Sequence, residues 1–423
     1  MKKALSLLLF VFIAVGMSMP AFAGDLKMSN GFEVRMFNGD RGDFYTDTDG
    51  SQTHVTHLLS SAGSYSSEPG FSINWNVEAM NGGWGYSISE EDNELNFKAL
   101  YAMWDAERFA VSAGYLDVFW GNGWVLQGDG FGGFLVDLKA TKNTTITLMA
   151  GLNSENNDYD EDDATDAELL SDSDDTEDGW IYGVQLTQMF EGGKANLYYL
   201  GANDEDQAAG VASAGLQMIG AAGMLDYKGI NFSGEAATSF GDNDGTDYSG
   251  TFFNLNASTS ISEAASVEAR LYYALGVDGD DESASYNFMK RGAVQPLQQG
   301  LGAILDHDDG NLQLMQKAPF NIWDLNGQGD GLIGMGLSGA YKVDMKTTLN
   351  AGIIYAMPEL DGDDAGWDNL LKLNASVIYA VSKSLTLGLG ASYMTAENNE
   401  DSDNASGWED DAYGATAIMA WSF

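Results

Sequence analysis

Few residues of this chain have the types and spacing that chemistry at a single site requires. Gly334, Gly336 and Gly339 form a G-x-G-x-x-G pattern, which in dinucleotide-binding proteins is a phosphate-binding turn between a strand and a helix. Here the pattern lies inside a predicted strand with no helix after it, so that context is missing. The chain has no cysteine, no G-x-S-x-G and no H-E-x-x-H, which removes thiolate chemistry and two hydrolase signatures.

The other candidates are metal ligands. His54 and His57 are three residues apart, which on a strand places them on opposite faces, so we interpret them as surface residues. The stretches 306–310 and 361–364 contain closely spaced aspartates but lack the terminal glutamate of a calcium loop. For the acidic loops we considered weak calcium or magnesium binding and a solvated anionic rim, and we favour the rim. We therefore predict no cofactor, no metal site, no catalytic residue and no enzyme.

Composition restricts the class of protein. The 423 residues contain 63 acidic and 19 basic side chains, a net charge of −44, which excludes nucleic acid as a partner because no basic face can form. An apolar content of 44% and an aromatic content of 12% exclude a disordered chain. With 52 glycines and five prolines, many uninterrupted strands are permitted. We expect an ordered β protein whose charge lies in its loops.

The N-terminal residues are typical of a bacterial secretory signal. Lys2 and Lys3 precede an apolar run over 5–15, and Ala21-Phe22-Ala23 provides the small residues of a cleavage site. We predict a signal peptide over 1–23 and a single domain over 24–423. No later stretch approaches 18 consecutive apolar residues, so a membrane-spanning form would have to be a closed β-barrel.

Segments that alternate between apolar and polar residues recur along the chain, for example at 71–78, 267–273 and 371–377. We predict about eighteen strands of roughly ten residues, the length of a tilted membrane-spanning strand. The first two are expected near 31–38 and 53–61. A soluble, half-buried sheet would show the same alternation, so a soluble secreted β protein is an alternative at this point.

The connections between strands favour the membrane protein. Short connections such as 141–142 and 191–192 alternate with long acidic ones. Residues 154–178 hold 13 acidic side chains and no basic one, and 396–411 hold seven acidic side chains. Short turns at one rim and long loops at the other are typical of outer-membrane barrels. We therefore predict an all-β, transmembrane antiparallel barrel in the bacterial outer membrane, with short periplasmic turns and long acidic extracellular loops.

Aromatic residues support this fold. Apolar side chains occupy every second position up to Trp421 and Phe423, which we interpret as a signal for the barrel-assembly machinery. Outer-membrane lipid and lipopolysaccharide are the other expected partners. Aromatic residues near strand ends suit the girdles at the membrane interfaces; they are Trp104, Phe119, Trp120, Trp180, Phe190, Phe240 and Trp367.

Residues 107–140, which contain Trp120-Gly121-Asn122-Gly123, and residues 272–281, which end in Gly279-Asp280-Asp281, resemble segments of alginate-export-family porins. The resemblance implies an 18-stranded monomeric barrel that passes an anionic polysaccharide. A pore for polyuronates is expected to be rich in arginine. This chain has only five arginines, Arg35, Arg41, Arg108, Arg270 and Arg291, so alginate export is the alternative rather than the first interpretation.

Alternation along the strands predicts the residues that line the pore. The predicted wall is mixed with an acidic bias, which favours a passive channel for small hydrophilic or ionic solutes. Alternatives are an exporter or importer of an anionic polysaccharide and a non-conducting surface barrel or adhesin. The predicted lining residues are Glu33, Arg35, Asn74, Asn76, Glu78, Lys98, Glu235, Asn254, Asn256, Glu268, Arg270 and Lys372.

The connection 277–331 differs from the other long loops because its middle is apolar and almost free of acids. We expect it to fold into the barrel mouth, since a lumen of this size would otherwise be an open channel. Lys290 and Arg291 would then form the positive side of a constriction, facing Glu268 or Glu235. The alternative is a lid packed on the outer rim.

Overall fold

The computed structural model describes residues 25–40, 51–81, 95–123, 126–154, 179–203, 215–243, 246–275, 282–284, 331–359, 367–398 and 412–423. Within these ranges no helix is long and apolar enough to cross a membrane. The strands are β1 Asp25–Asp40, β2 Ser51–Glu68, β3 Phe71–Asn81, β4 Leu95–Asp105, β5 Phe109–Trp120, β6 Leu126–Lys139, β7 Thr144–Ser154, β8 Gly179–Phe190, β9 Gly193–Asn203, β10 Gln217–Tyr227, β11 Ile230–Asn243, β12 Thr246–Ser260, β13 Ala265–Ala274, β14 Glu282–Ala284, β15 Leu332–Lys342, β16 Thr347–Met357, β17 Trp367–Ala380, β18 Leu385–Asn398 and β19 Ala412–Ser422.

These strands form one closed barrel. Each wall strand pairs antiparallel with the next, and β1 also pairs with β19 from Gly31↔Ser422 to Asp40↔Tyr413. The three-residue strand β14 is a parallel addition to β12, and β13 pairs directly with β15, so eighteen strands make the wall. Closure removes the sheet edges that would leave backbone groups unpaired in lipid. The predicted fold class, an antiparallel barrel of about eighteen strands, is confirmed.

The two rims differ in their connections. At one end, which we call the short-turn rim, consecutive strands are joined by two to four residues, as at 191–192 and 343–346. The other end, the long-loop rim, carries the remaining connections. Several short turns have a Ser or Asp acceptor that bonds two following backbone N–H groups, a common turn chemistry. Ser382 accepts from Ser384 and Leu385, and Asp344 accepts from Lys346 and Thr347 at 2.7 and 2.8 Å.

The outer face of the wall is an apolar belt. Leu197 in β9 is 60% exposed and Leu337 in β15 is 51% exposed, whereas Asn196 and Tyr198, the inward-facing neighbours of Leu197, are buried. Most of the predicted girdle aromatics lie on this outer face near strand ends, including Trp104 and Phe119. Trp120 was wrongly assigned to the girdle. It is 1% exposed and faces the barrel interior, because Phe119 takes the outward position next to it.

The first two strands are longer than predicted. β1 and β2 pair without interruption from Asp25↔Ser66 to Asp40↔Ser51, beyond the predicted limits 31–38 and 53–61. The serine-rich end of β2 lacks hydrophobic alternation, but β1 supplies partners for its backbone groups. Pairing with a neighbouring strand therefore extends β2 where the sequence pattern is weak.

Candidate functional site in the barrel interior

The interior wall carries the polar residues that alternation selected. Asn74, Asn76 and Glu78 share one face of β3, opposite the inward-facing Ser64, Ala62 and Ser60 of β2. The register likewise places Asn254 and Asn256 of β12 and Glu268 and Arg270 of β13 on the inner face. Lys372 in β17 is 5% exposed on that face. Glu33 pairs with Ala420 and Leu58 and points inward as well. By register Arg35 is on the same face of β1, but its side chain lies outside the described residues.

Several interior charges lie next to a charge of opposite sign. Lys98 Nζ is 3.8 Å from Glu78 Oε2, Arg270 forms an ion pair with Glu268, and Lys139 forms one with Asp105 near the short-turn rim. The two charges of each pair largely cancel each other's field at a distance, so these parts of the wall attract neither cations nor anions strongly.

A β-bulge directs Lys98 into the lumen. Asn76 pairs with Ala99 and Val77 pairs with Phe97, which leaves Lys98 as an extra residue in β4. Leu100 points outward and is 47% exposed, so strict alternation through β4 cannot place Leu100 outside and Lys98, as predicted, inside. The bulge changes this direction, a common effect of an inserted residue, and allows the contact with Glu78.

The structure also shows a constriction element that alternation did not predict. After β5 the chain turns into the barrel at Gly121-Asn122-Gly123, which we call the inward turn. Gly121 and Gly123 have φ of 61° and 87°, values that favour glycine. The Gly123 N–H donates to the Trp120 carbonyl at 2.8 Å and closes the turn. The inward turn therefore depends on glycines at its first and last positions.

Four successive wall strands hold the inward turn. The Gly121 N–H donates to Gln185 Oε1 of β8 at 2.7 Å, and the Asn196 amide of β9 donates to the Gly121 carbonyl at 3.0 Å. The Asn122 side-chain amide donates to the carbonyls of Gly223 in β10 and Gly234 in β11, at 3.0 and 2.8 Å. In the wall of eighteen strands, β5 and β11 are not neighbours. The chain therefore crosses part of the lumen to reach from β5 to β11 and does not follow the rim.

Glu235 of β11 is the only carboxylate among the described contacts of the inward turn. Its Oε2 accepts the Asn122 backbone N–H at 2.9 Å, and its Oε1 accepts the Tyr198 hydroxyl at 2.6 Å. The side chain is 1% exposed. The sequence predicts Glu235 as a pore-lining residue. It does face the interior, but the turn and Tyr198 cover it, so its charge is engaged in fixing the turn.

Apolar side chains fill the barrel behind the inward turn. Trp120 lies over Gly183, where an added Cβ would be 3.1 Å from the indole ring. Phe131 similarly covers Gly133 and Gly151. This internal cluster, which closes the β5–β9 sector of the lumen, consists of Leu116, Val118, Trp120, Phe131, Ile181 and Leu200, each at most 1% exposed. The β5–β9 side of the barrel interior is therefore packed with apolar side chains.

Other predicted residues lie outside the described part or at the short-turn rim. Lys290 and Arg291 lie outside it, as do the acidic stretches 155–178 and 399–411 and residues 1–24. The constriction loop, divalent-cation binding and the signal peptide therefore stay predictions. Trp421 and Phe423 lie at the short-turn rim with their ring centroids 6.0 Å apart. Phe423 exchanges two 3.0 Å backbone hydrogen bonds with Asn30 of β1, and its role in assembly is untested.

Known proteins with similar structures have the same fold as this chain. No protein-family model and no curated protein matches the chain. Among solved structures, a BenF-like porin from Pseudomonas fluorescens Pf-5 matches with a TM-score of 0.61 at 12% identity, over 95% of this chain and 100% of that one. OccAB1 of Acinetobacter baumannii matches with a TM-score of 0.60 at 10% identity, over 96% and 98%.

A third similar structure is OccK11 (OpdR) of Pseudomonas aeruginosa, with a TM-score of 0.58 at 10% identity, over 94% and 96% of the two chains. At such low identity the likeness establishes the fold alone, which is that of an outer-membrane porin barrel. It does not support membership of the alginate-export family.

Proposed function

We propose that this protein is an outer-membrane porin, a passive channel for small hydrophilic or ionic solutes, and not an enzyme. One observation carries the proposal: a closed eighteen-stranded wall has an apolar outer belt and a polar inner face. A barrel of this strand number encloses an aqueous passage unless something fills it. The internal cluster fills the β5–β9 sector, whereas β3, β12 and β13 carry polar residues on the inner face, together with buried apolar residues such as Phe252 and Tyr272.

The inner wall also supports small solutes over an anionic polysaccharide. A polyuronate would need a row of basic groups along its path. In the described part of the barrel, Lys98, Lys139 and Arg270 each lie beside an acid. We therefore place the polysaccharide transporter second, and we propose lipopolysaccharide, membrane lipid and the assembly machinery as partners.

A planar-bilayer recording of the purified, detergent-refolded protein tests the channel. We expect discrete conductance steps in potassium chloride, together with swelling of liposomes in small sugars. The same protein unfolded by heating before addition is the control for detergent leaks. Correctly folded barrels that give no steps and no swelling would favour a non-conducting surface barrel or adhesin.

A further inference from the structure

We infer that Glu235 is the positioning residue that fixes the width of the channel, and that it contributes little to ion selectivity. The inference rests on the proposed channel function and assigns a specific role within it. The contacts of Glu235 include one with a turn from a distant part of the chain. Residues 122 and 235 are 113 positions apart.

The geometry explains why a carboxylate is needed. Glu235 uses separate oxygens for the Asn122 backbone N–H and the Tyr198 hydroxyl. An amide in its place would keep one acceptor oxygen and replace the other with an NH₂ group, so one of the two donors would lose its acceptor or, for the Tyr198 hydroxyl, have to accept instead of donate. Hydrogen bonds to ionised acceptors are stronger than those to neutral ones, so the isosteric change to glutamine weakens the docking without altering shape.

The fit around Gly121 supplies an independent way to disturb the same contact. A Cβ at Gly121 would overlap the Glu235 carboxylate and lie 2.9 Å from a ring carbon of Tyr198. Alanine there would also be strained at a φ of 61°. Gly121→Ala should therefore displace the inward turn while leaving the charge of Glu235 in place.

Release of the inward turn should be measurable through Ala222, which pairs with Glu235 across β10 and β11 and is 6% exposed on the inner face. The chain contains no cysteine, so an Ala222→Cys substitution gives a single reactive thiol. In the folded barrel, Glu235→Gln should speed its modification by a small, water-soluble thiol reagent about tenfold or more, since bonds to charged groups are among the stronger ones. Ala340→Cys, on the inner face of β15, is the control and should react at the same rate in both backgrounds.

Bilayer recordings separate positioning from electrostatics. Glu235→Gln and Gly121→Ala should both raise single-channel conductance and current noise, and their double mutant should resemble either single one because both act on one contact. Neither should shift the reversal potential in a potassium chloride gradient. Glu33→Gln removes an inner-face acid of β1, which is not among the four strands that hold the turn, and should shift the reversal potential toward chloride without raising conductance.

Two results would overturn the inference. One is a Glu235→Gln barrel with unchanged thiol reactivity at Ala222→Cys, and the other is a shift of reversal potential without a change in conductance. Heat-modifiable migration in electrophoresis checks that each variant is folded. The thiol assay needs no ion current, so a barrel that fails to conduct would refute the proposed function while the role of Glu235 is still tested.

Discussion

Replacing Leu337 with arginine tests whether the outer belt lies in hydrocarbon. Leu337 is the central residue of the 11-residue strand β15 and is 51% exposed on the outer face. With a rise of about 3.3 Å per residue and a tilt of about 40°, β15 spans roughly 25 Å along the barrel axis, the height of the apolar band in such barrels. Leu337 therefore lies at the midplane, where arginine should lower the free energy of unfolding by about 2–4 kcal/mol.

Tyr341 provides a matched control on the same strand and face. It is 53% exposed and lies four residues closer to the short-turn rim, about 10 Å along the axis. Arginine at this interfacial position should lower the free energy of unfolding by only about 0–1 kcal/mol. Urea titration of both variants in lipid vesicles, followed by tryptophan fluorescence, gives the two values. Equal costs at the two positions would refute the membrane-spanning assignment.

Three further predictions concern selectivity, assembly and turn stability. The channel should prefer potassium to chloride at 0.1 M salt, where the field of the acidic loops reaches about 10 Å, and should lose this preference at 1 M, where the field reaches about 3 Å. Reversal potentials at the two salt concentrations measure the preference. Anion preference at low salt would favour the polyuronate transporter instead. Phe423→Ser should reduce the yield of heat-modifiable barrel while secretion stays intact. Phe190 is an exposed aromatic at the same rim, and Phe190→Ser should reduce the yield less. Equal yields for the Phe423 variant and the unaltered protein would contradict an assembly role. Hydrogen bonds from the backbone N–H of Lys346 and, to a lesser extent, of Thr347 lower the pKa of Asp344 from its usual 3.8. The contribution of Asp344 to stability is therefore present above pH 3.8 and is lost as pH falls through the lowered pKa. Asp344→Ala should therefore lower the urea midpoint at pH 7 and have less effect near pH 2, and an effect that is the same at both values would exclude the charge of Asp344 as the cause.

Regular strands are the part of this molecule that sequence predicts well. In β3, β12 and β13 every second residue faces the lumen, so alternation alone selects Asn74, Asn254 and Arg270. The bulge in β4 could not be predicted in this way, because one inserted residue reverses the faces and only the pairing with β3 reveals it. Trp120 was placed in the outer girdle only because it lies near a strand end, and it is buried inside the barrel.

The inward turn depends on contacts that no local pattern contains. Gly121 meets Gln185 at a separation of 64 residues, and Asn122 meets Glu235 at a separation of 113. One local signal was available: Gly121-Asn122-Gly123 contains no acid, unlike most connections at its rim. Two glycines around an asparagine indicate a tight turn, but the direction of that turn is fixed by the distant strands that accept and donate its hydrogen bonds.

For the proposed channel, the distribution of charge predicts that ion preference and channel width are controlled in different places. The described wall pairs acids with bases at Glu78, Asp105 and Glu268, and Glu235 is covered by the inward turn. Much of the excess of 63 acidic over 19 basic residues lies in connections such as 155–178, which are outside the described wall. In the proposed channel, a field at the rim would act on ions before they enter, whereas the inward turn would act on solutes inside the barrel. Changes to the acidic connections should therefore alter the reversal potential and spare the conductance at high salt, and changes at Glu235 should do the reverse.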